Sequence, residues 1–506
     1  LIKFILKRLG ASVIVLFIAS ILVYFLTTLS GDPVGNLREL ASDPKVRTQM
    51  LSIERNLDLN TPWPIRYLKW LGGVGQCFTG HCDFGTNIKG DDVGGILASA
   101  ASSTMRLIFL SVIIACIFGI LIGVITAIRQ YSDLDYIVTF VAFVLFSLPS
   151  FWAAVLLKQY AAIDFNNWID DPKFSVTQIV LTAVILGFIV QLLMGGSWKR
   201  RLLSFAIVAV VVGAALPYFT WLRFWQYPQM GPAVIGIVTL AVAAFATHVT
   251  VGIKETKVLI PAVISVVLVL VVYYGSWNML AEPNWWILAG GLVLAIAVPW
   301  ILGHFMGGRY RRQAISASVA TTLVGAFLTI VDHLFQTWPG FLELKPRAIA
   351  TIGSNTPNFQ GDFWEHFLDN ATQLLLPTVL LAVISMASYS RYTRTAMIEV
   401  GDQDYIRTAR SKGLPERTVI LRHAFRNALI PIITIVAMDF AGIIGGAVIT
   451  EQVFGWKGMG AMFQDGLNAT DPNPVMAFVL VTGGVAILFN LLTDIVYALV
   501  DPRIRV

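Results

Sequence analysis

Charge is what this sequence has least of. Of its 506 residues only 13% are Asp, Glu, Lys or Arg, 56% are hydrophobic, and the mean hydropathy is +0.73. Soluble domains carry roughly twice that share of charge, so a soluble multi-domain protein is excluded and the chain belongs in a bilayer. Cysteine is scarce too. Three residues are too few for a disulfide framework, and Cys116 lies inside an apolar run where a small packing residue belongs. Only Cys77 and Cys82 invite pairing: four residues separate them, Gly80 lets the short loop turn, and an outside location would permit oxidation. Catalytic signatures are missing. There is no Gly-x-x-x-x-Gly-Lys-Ser/Thr phosphate loop, no His-Glu-x-x-His and no Gly-x-Ser-x-Gly, so no ATP cradle and no catalytic site is expected in this chain. His248, His304 and His333 stand near the ends of apolar runs without companion ligands, which argues against a metal site. The pI near 9.1 could suggest nucleic acid, but the basic residues form short clusters between apolar segments, as topology signals do.

What is present is a succession of apolar runs near the roughly 20 residues that cross hydrocarbon as a helix. Twelve are expected, at 10–30, 104–128, 136–158, 176–194, 202–222, 232–252, 258–279, 286–306, 314–336, 371–391, 428–450 and 475–498. The fold class is therefore an all-α polytopic membrane protein. Lys3, Lys7 and Arg8 before Leu9 resemble a signal peptide's start, but the following run is long and no cleavage site is clear, so 1–30 reads as an uncleaved first transmembrane helix. With that end inside, the larger share of Lys and Arg falls on inside segments, and most of the outside ones sit in the long segment 31–103, where the rule weighs little. Both termini are expected to be cytoplasmic.

The middle third has its own rhythm. Basic turns at Lys199-Arg200-Arg201, Lys254 to Lys257 and Arg309 to Arg312 recur at about 55-residue intervals, a spacing that two crossings and their turns produce unaided. They read as three hairpins tipped inside, with Trp225, Trp285, Trp286 and Trp338 at the opposite ends as an aromatic belt. Gly195-Gly196-Ser197-Trp198-Lys199-Arg200 and Gly307-Gly308-Arg309-Tyr310-Arg311-Arg312 are alike enough to hint at duplication.

The cytoplasmic stretch 392–427 is the informative one. Residues 399–413 read as a short helix with Tyr405, Ile406 and Ala409 close on one face. Gly413 is placed to end it in the left-handed conformation, and Pro415 to begin the next helix. A rigid helix across the cytoplasmic mouth, with small Ala409 on an exposed apolar face, suits a transporter that receives force from a soluble motor; a solvated connector is the bland alternative. Asp404-Tyr405-Ile406-Arg407-Thr408-Ala409-Arg410-Ser411-Lys412-Gly413-Leu414, followed by Leu421-Arg422-His423-Ala424-Phe425-Arg426-Asn427-Ala428-Leu429-Ile430-Pro431, resembles the coupling loop of peptide-class permeases of bacterial ABC importers. The wider family has Glu-Ala-Ala followed four residues later by Gly. Ala409 and Gly413 match that pair, whereas Arg407 and Thr408 replace Glu and Ala, and Phe425-Arg426 stands where other members have Leu-Pro. Ser147-Leu148-Pro149-Ser150-Phe151-Trp152, Gly445-Gly446-Ala447-Val448 with Glu451-Gln452-Val453-Phe454, and Asp501-Pro502-Arg503-Ile504-Arg505 agree with the resemblance, which covers about 1–160 and 370–506.

The resemblance implies a type I permease core of six helices, formed by 1–30, 104–160 and 371–506. Residues 176–336 would add six inserted helices, packed laterally on that core. It also implies coupling through Tyr405, Ile406, Arg407, Ala409, Arg410 and Gly413. The partners would be a second homologous permease, two ATPase subunits holding ATP and Mg, an extracytoplasmic substrate-binding protein and membrane lipid, in a bacterial cytoplasmic membrane. This chain would hold no cofactor. The substrate would be a peptide, with a nickel complex or glutathione as alternatives. A twelve-helix secondary transporter would instead show matching halves and intramembrane acid–base pairs, and a channel a recognisable filter; neither is evident. Asp439, ionisable within an apolar run, is a candidate for the translocation path or else a contact between helices, while Asp494 reads as a structural hydrogen-bonding group. Gly455-Trp456-Lys457-Gly458-Met459-Gly460 follows a membrane helix on the outside and reads as a turn, not a dinucleotide site.

Overall fold

The computed structural model describes residues 2–39 and 42–500, with side chains for 6–39, 42–77, 79–445 and 447–493. The Asp494 side chain and the terminal motif Asp501 to Arg505 lie outside the described residues. Within them the chain is helix and turn, apart from an isolated bridge between Thr86 and Asp92. Among the described residues, eleven helices are long and apolar enough to cross a bilayer. The straight crossing expected at 136–158 is instead a bent pair, Asp133–Ser147 and Ser150–Asp170, meeting at 102°. The cause is local: Pro149 lacks an N–H and forces Leu148 out of helical geometry, to ψ 127°. A second correction concerns 31–103, because its last residues already belong to the next helix, Val93–Ile128. Asp92 caps that helix by accepting from the N–H groups of Gly94 and Gly95.

The chain divides into two compact units, one comprising Leu1–Ala161, Thr351–Ser354 and Gln373–Val506, the other Ala162–Ala350 and Asn355–Thr372. In the first, helix Ile2–Leu29 packs along Pro472–Val500, and Val93–Ile128 lies against the long helix Phe363–Gly401. Gly119 and Gly123 make the second contact. A Cβ on Gly123 would stand 2.5 Å from the Thr393 Cβ and 2.6 Å from the Ser390 carbonyl oxygen, so only a missing side chain permits this approach of two backbones.

A small cap of three helices, Gly35–Arg38, Pro44–Asn56 and Trp63–Gly75, fills the segment after the first span. It encloses Val34, Ile53 and Leu57, and Tyr67 anchors it to the first span by a 2.8 Å hydroxyl contact with Ser20. Cys77 and Cys82 are joined in a disulfide, their Cα atoms 4.1 Å apart around Gly80, which adopts φ +88°. The cap loop is latched by Asp471. Its carboxylate is buried and accepts from the N–H of Ile88 at 2.6 Å and of Asn473 at 3.2 Å, while the Asn473 side-chain amide donates to the Thr86 carbonyl at 2.7 Å.

The second unit holds six candidate spans, Val176–Met194, Trp198–Trp221, Gly231–Thr250, Thr256–Gly275, Trp285–Met306 and Gly308–Leu344. The basic residue Lys254 lies in the short turn between paired helices, and Arg200 and Arg312 lie in the first turns of helices that follow such breaks. Its organising polar group is Asp332. Fully buried, it accepts from the N–H groups of Met230 and Gly231, from the Tyr273 hydroxyl at 2.7 Å and from the Gln336 amide at 2.9 Å. Four donors satisfy a carboxylate that apolar surroundings would otherwise not tolerate, and they draw three helices and a loop together. Gly303 closes the last hairpin, its Cα facing the Ile315 backbone so closely that a Cβ would sit 2.6 Å from it.

Burial pushes the Asp471 carboxyl up to about 6, against the lowering effect of its two backbone donors. A carboxyl raised on folding stabilises fully below its unfolded value near 3.8, and that contribution is lost as pH rises through about 6. The cap latch should therefore loosen between pH 4 and 7. Thermal unfolding of wild type and Asp471→Asn across this window is expected to show a downward slope in the wild type that the variant lacks; parallel profiles would refute the assignment.

Candidate functional site

The longest helix, Phe363–Gly401, runs past the end of its apolar stretch before the chain reverses. Two residues of turn follow, and then the short helix Asp404–Ser411. The expected helix over 399–413 is thus corrected at both ends: 399–401 finish the long helix, and Gly413 lies beyond the short one. Likewise the stretch 392–427 is mostly helical, since Phe425–Gly446 is preceded without a break by a turn at Glu416–Thr418 and a π turn at Val419–Ala424. Gly413 ends the short helix with φ +74°. Its N–H bonds to the Arg410 carbonyl at 2.9 Å and that of Leu414 to the Ala409 carbonyl at 3.4 Å, the paired closure that a left-handed residue permits. Pro415 then sits immediately before the first residue of the next helix.

The orientation of the short helix corrects a second expectation. Ile406 and Ala409 do not form an exposed apolar face; both are buried, in a cluster with Ala396, Met397, Val419, Ala424, Ala428 and Ile432 from this same chain. Burying Ile406 stabilises the docking by about 2 kcal/mol. What faces outward is polar: Asp404, Arg407, Thr408 and Ser411 are exposed, and Tyr405 is 43% exposed, its hydroxyl accepting from the Asn427 amide at 2.8 Å. Arg410 donates to both oxygens of Glu416 across the Gly413 turn, at 2.9 and 3.3 Å, and this contact holds the Arg410 guanidinium above its ordinary pKa. As an exposed pair it contributes under about 1 kcal/mol and acts chiefly to define the turn.

Two polar links extend from this elbow. Arg394 clasps Asp135 with both arms, Nε at 2.6 Å and one terminal nitrogen at 2.8 Å, and Asp135 also accepts from the Tyr131 N–H at 3.0 Å. Asp135 is buried, so the long helix and the start of Asp133–Ser147 are pinned at one level. Further along the same helices, Asp439 accepts from the Ser385 hydroxyl at 3.0 Å and the Tyr389 hydroxyl at 2.7 Å, a polar contact between Phe425–Gly446 and Phe363–Gly401. The sequence reading did not identify Asp135 or Arg394, and named Glu451 only as part of a family motif, without a role. Glu451 is fully buried and accepts from Thr104 at 2.6 Å and from the N–H groups of Gly460 and Ala461 at the start of helix Met459–Asn468. Burial nonetheless raises its carboxyl above the usual range. Their signal was an acid or base within or beside an apolar run, the same signal that singled out Asp439. Of the predicted site residues, Tyr405, Ile406, Arg407, Ala409, Arg410 and Gly413 share the elbow, Asp439 lies further along its helices, and Cys77 and Cys82 belong to the cap.

Residues 183–506 match the family described as the inner membrane component of binding-protein-dependent transport systems. The chain belongs to that family. It is a multi-pass protein of the cytoplasmic membrane with the type I permease fold. The match begins inside the second unit, so the resemblance read at 1–160 lies outside the matched residues. Among curated proteins, the chain is 37% identical over 230 residues to the oligopeptide transport system permease protein OppB of Mycobacterium tuberculosis, covering 44% of this chain and 69% of that one. It is 34% identical over 258 residues to the di/tripeptide transport system permease protein DppB of Pseudomonas aeruginosa, covering 50% and 72%. It is 44% identical over 140 residues to the oligopeptide transport system permease protein AppB of Bacillus subtilis, covering 28% and 44%.

The Arg394–Asp135 clasp makes a separable prediction for this permease. Arg394→Met alone strands a buried carboxylate and should cost about 3–5 kcal/mol, whereas Arg394→Met combined with Asp135→Leu should cost clearly less, because no unpaired charge remains. Thermal unfolding of the single and double variants in detergent measures this; additive losses would show that the pair is not coupled.

Proposed function

We propose that the chain is a permease subunit of an ATP-binding cassette importer that carries peptides inward, and that its elbow at Asp404–Ser411 receives the stroke of a motor subunit. Membership in the family and the names of the relatives, which span di-, tri- and oligopeptides, support the substrate class. The seating of the short helix supports the coupling. Its inner face is fused by Ile406 and Ala409 to the two helices it joins, so a push on Tyr405, Arg407 and Thr408 moves Phe363–Gly401 and Phe425–Gly446 together instead of bending a loose connector. Arg394 and Asp135 would pass the displacement to Asp133–Ser147. Asp439 would line the path, held in place by Ser385 and Tyr389.

In this reading the chain assembles with a second related permease, an extracytoplasmic substrate-binding protein and two ATPase subunits. ATP and Mg sit on the ATPases, which is where hydrolysis takes place. Both termini, the elbow and the turns at Arg200, Lys254 and Arg312 are cytoplasmic, in keeping with their cationic character.

Because Ile406 and Ala409 face inward, only variants of the outward residues test the coupling cleanly. Ala409→Asp would put a charge into the elbow's own core and damage it directly, whereas Tyr405→Ala with Arg407→Glu alters only the outward face. In complexes reconstituted into liposomes, the double variant should keep its unfolding temperature but lose most ATP-driven peptide uptake, with ATP hydrolysis uncoupled or the ATPase released. Lys457→Asp, in the turn before Met459–Asn468, should transport normally. Normal assembly with normal uptake in the double variant would refute the coupling role. Sidedness has its own test: single cysteines at Arg200, Lys254 and Arg312 should react with an impermeant reagent only after the membrane is opened, and labelling in intact cells at any of them would overturn the orientation.

A further inference from the structure

We infer that the cavity between the helices Val93–Ile128, Asp133–Ser147 and Phe363–Gly401 is a binding site for an anionic phospholipid, with Arg391 as the group that reads its phosphate. The cavity is about 150 Å³, and its walls are mainly apolar, built from Val138, Ala142, Phe143 and Phe146 with Thr126 at the back. Two guanidinium groups border it and they differ in kind. Arg394 is neutralised by Asp135. Arg391 forms no ion pair among the described residues; it is partly buried and its guanidinium rests over aromatic rings, 5.0 Å from the centre of Phe146, 5.5 Å from Tyr392 and 5.7 Å from Phe143. Those rings fix the cation at the cavity mouth without supplying a counter-charge.

The level of Arg391 along the membrane favours a lipid as the missing anion. Phe363–Gly401 has 39 residues, which at 1.5 Å each is about 58 Å, longer than the roughly 40–45 Å of a bilayer with its headgroups. Its uncharged stretch runs from Asn370 to Ser390 and is closed by Arg391, Arg394 and Glu399, so its last turns project into the aqueous phase. Arg391, ten residues or about 15 Å before that end, stands at headgroup depth. Beside it Phe140, Phe143 and Phe146 are exposed along one helix, an aromatic apolar face that an acyl chain can follow from the phosphate into the hydrocarbon. A free phosphate would have no use for that face. Assigning the lipid to the cytoplasmic leaflet rests on the orientation proposed above; the existence of the site does not.

The test uses the assembled transporter, purified in mild detergent and stripped of lipid, then titrated with phosphatidylglycerol, phosphatidylcholine or inorganic phosphate under native mass spectrometry. The wild type should retain phosphatidylglycerol in preference to phosphatidylcholine, and millimolar phosphate should not displace it. A single basic group near a lipid surface corresponds to about fivefold in affinity, so Arg391→Gln should reduce the preference by about that factor, while Arg312→Gln, exposed at the start of a helix in the other unit, should leave it unchanged. Ala142→Phe fills the cavity with all charges intact and should weaken retention as well. Hydrogen exchange should show residues 138–146 protected when phosphatidylglycerol is added to the wild type, a result that stands even if a variant fails to assemble. Equal retention of the two lipids, displacement by phosphate, an unchanged preference in Arg391→Gln, or no protection at 138–146 would each overturn the site. If the lipid binds while cysteine labelling reverses the orientation, the site stands and only its leaflet changes.

Discussion

An ionised group carried into the apolar part of this permease must find its partners within the protein, and much of the arrangement follows from that constraint. Hydrocarbon offers no hydrogen bonds, so a carboxylate there is tolerated only where donors converge on it. Asp332 collects four donors from three helices and a loop, and Asp439 takes two hydroxyls from a neighbouring helix. Apolar surface does not distinguish one rotation of a membrane helix from another, since lipid tails are as apolar as Leu; these convergent contacts do.

Close packing acts on the same helices by a different route. The four-residue spacing of Gly119 and Gly123 removes side chains where Val93–Ile128 meets the long helix, and Gly303 does the same at a hairpin of the second unit. Where side chains are missing, backbones approach and dispersion contacts multiply. Where an acid and its donors meet, the rotation is set. Together they set both the spacing and the rotation of the helices in the first unit.

The elbow itself is built inside out relative to a free amphipathic helix. Its two apolar residues are consumed in fixing it to its own chain, and its polar residues are what a partner would meet. This division suits a lever: cohesion within the subunit comes from burial, whereas contact with a separate subunit can be polar, salt-sensitive and reversible.

The sequence by itself determined that the chain is an all-α membrane protein, the approximate place of nearly every span, and the stop at Gly413, because hydrophobic length and the conformational freedom of glycine are local properties. The short helix and its turn were legible from their residues. Its orientation was not: Ile406 and Ala409 share a face in any helical reading, but whether that face meets the same chain or a partner depends on Ala396, Val419 and Ile432, which only the folded elbow brings together. The break at Pro149 had a local cause in plain view, yet its 102° angle is settled by packing. The pairing of Arg394 with Asp135, 259 residues apart, and the contact of Asp439 with Ser385 and Tyr389 belong wholly to tertiary structure. A single charge in an apolar run announces that a partner must exist, because burial would otherwise cost too much, but nothing along the chain says which helix will supply it.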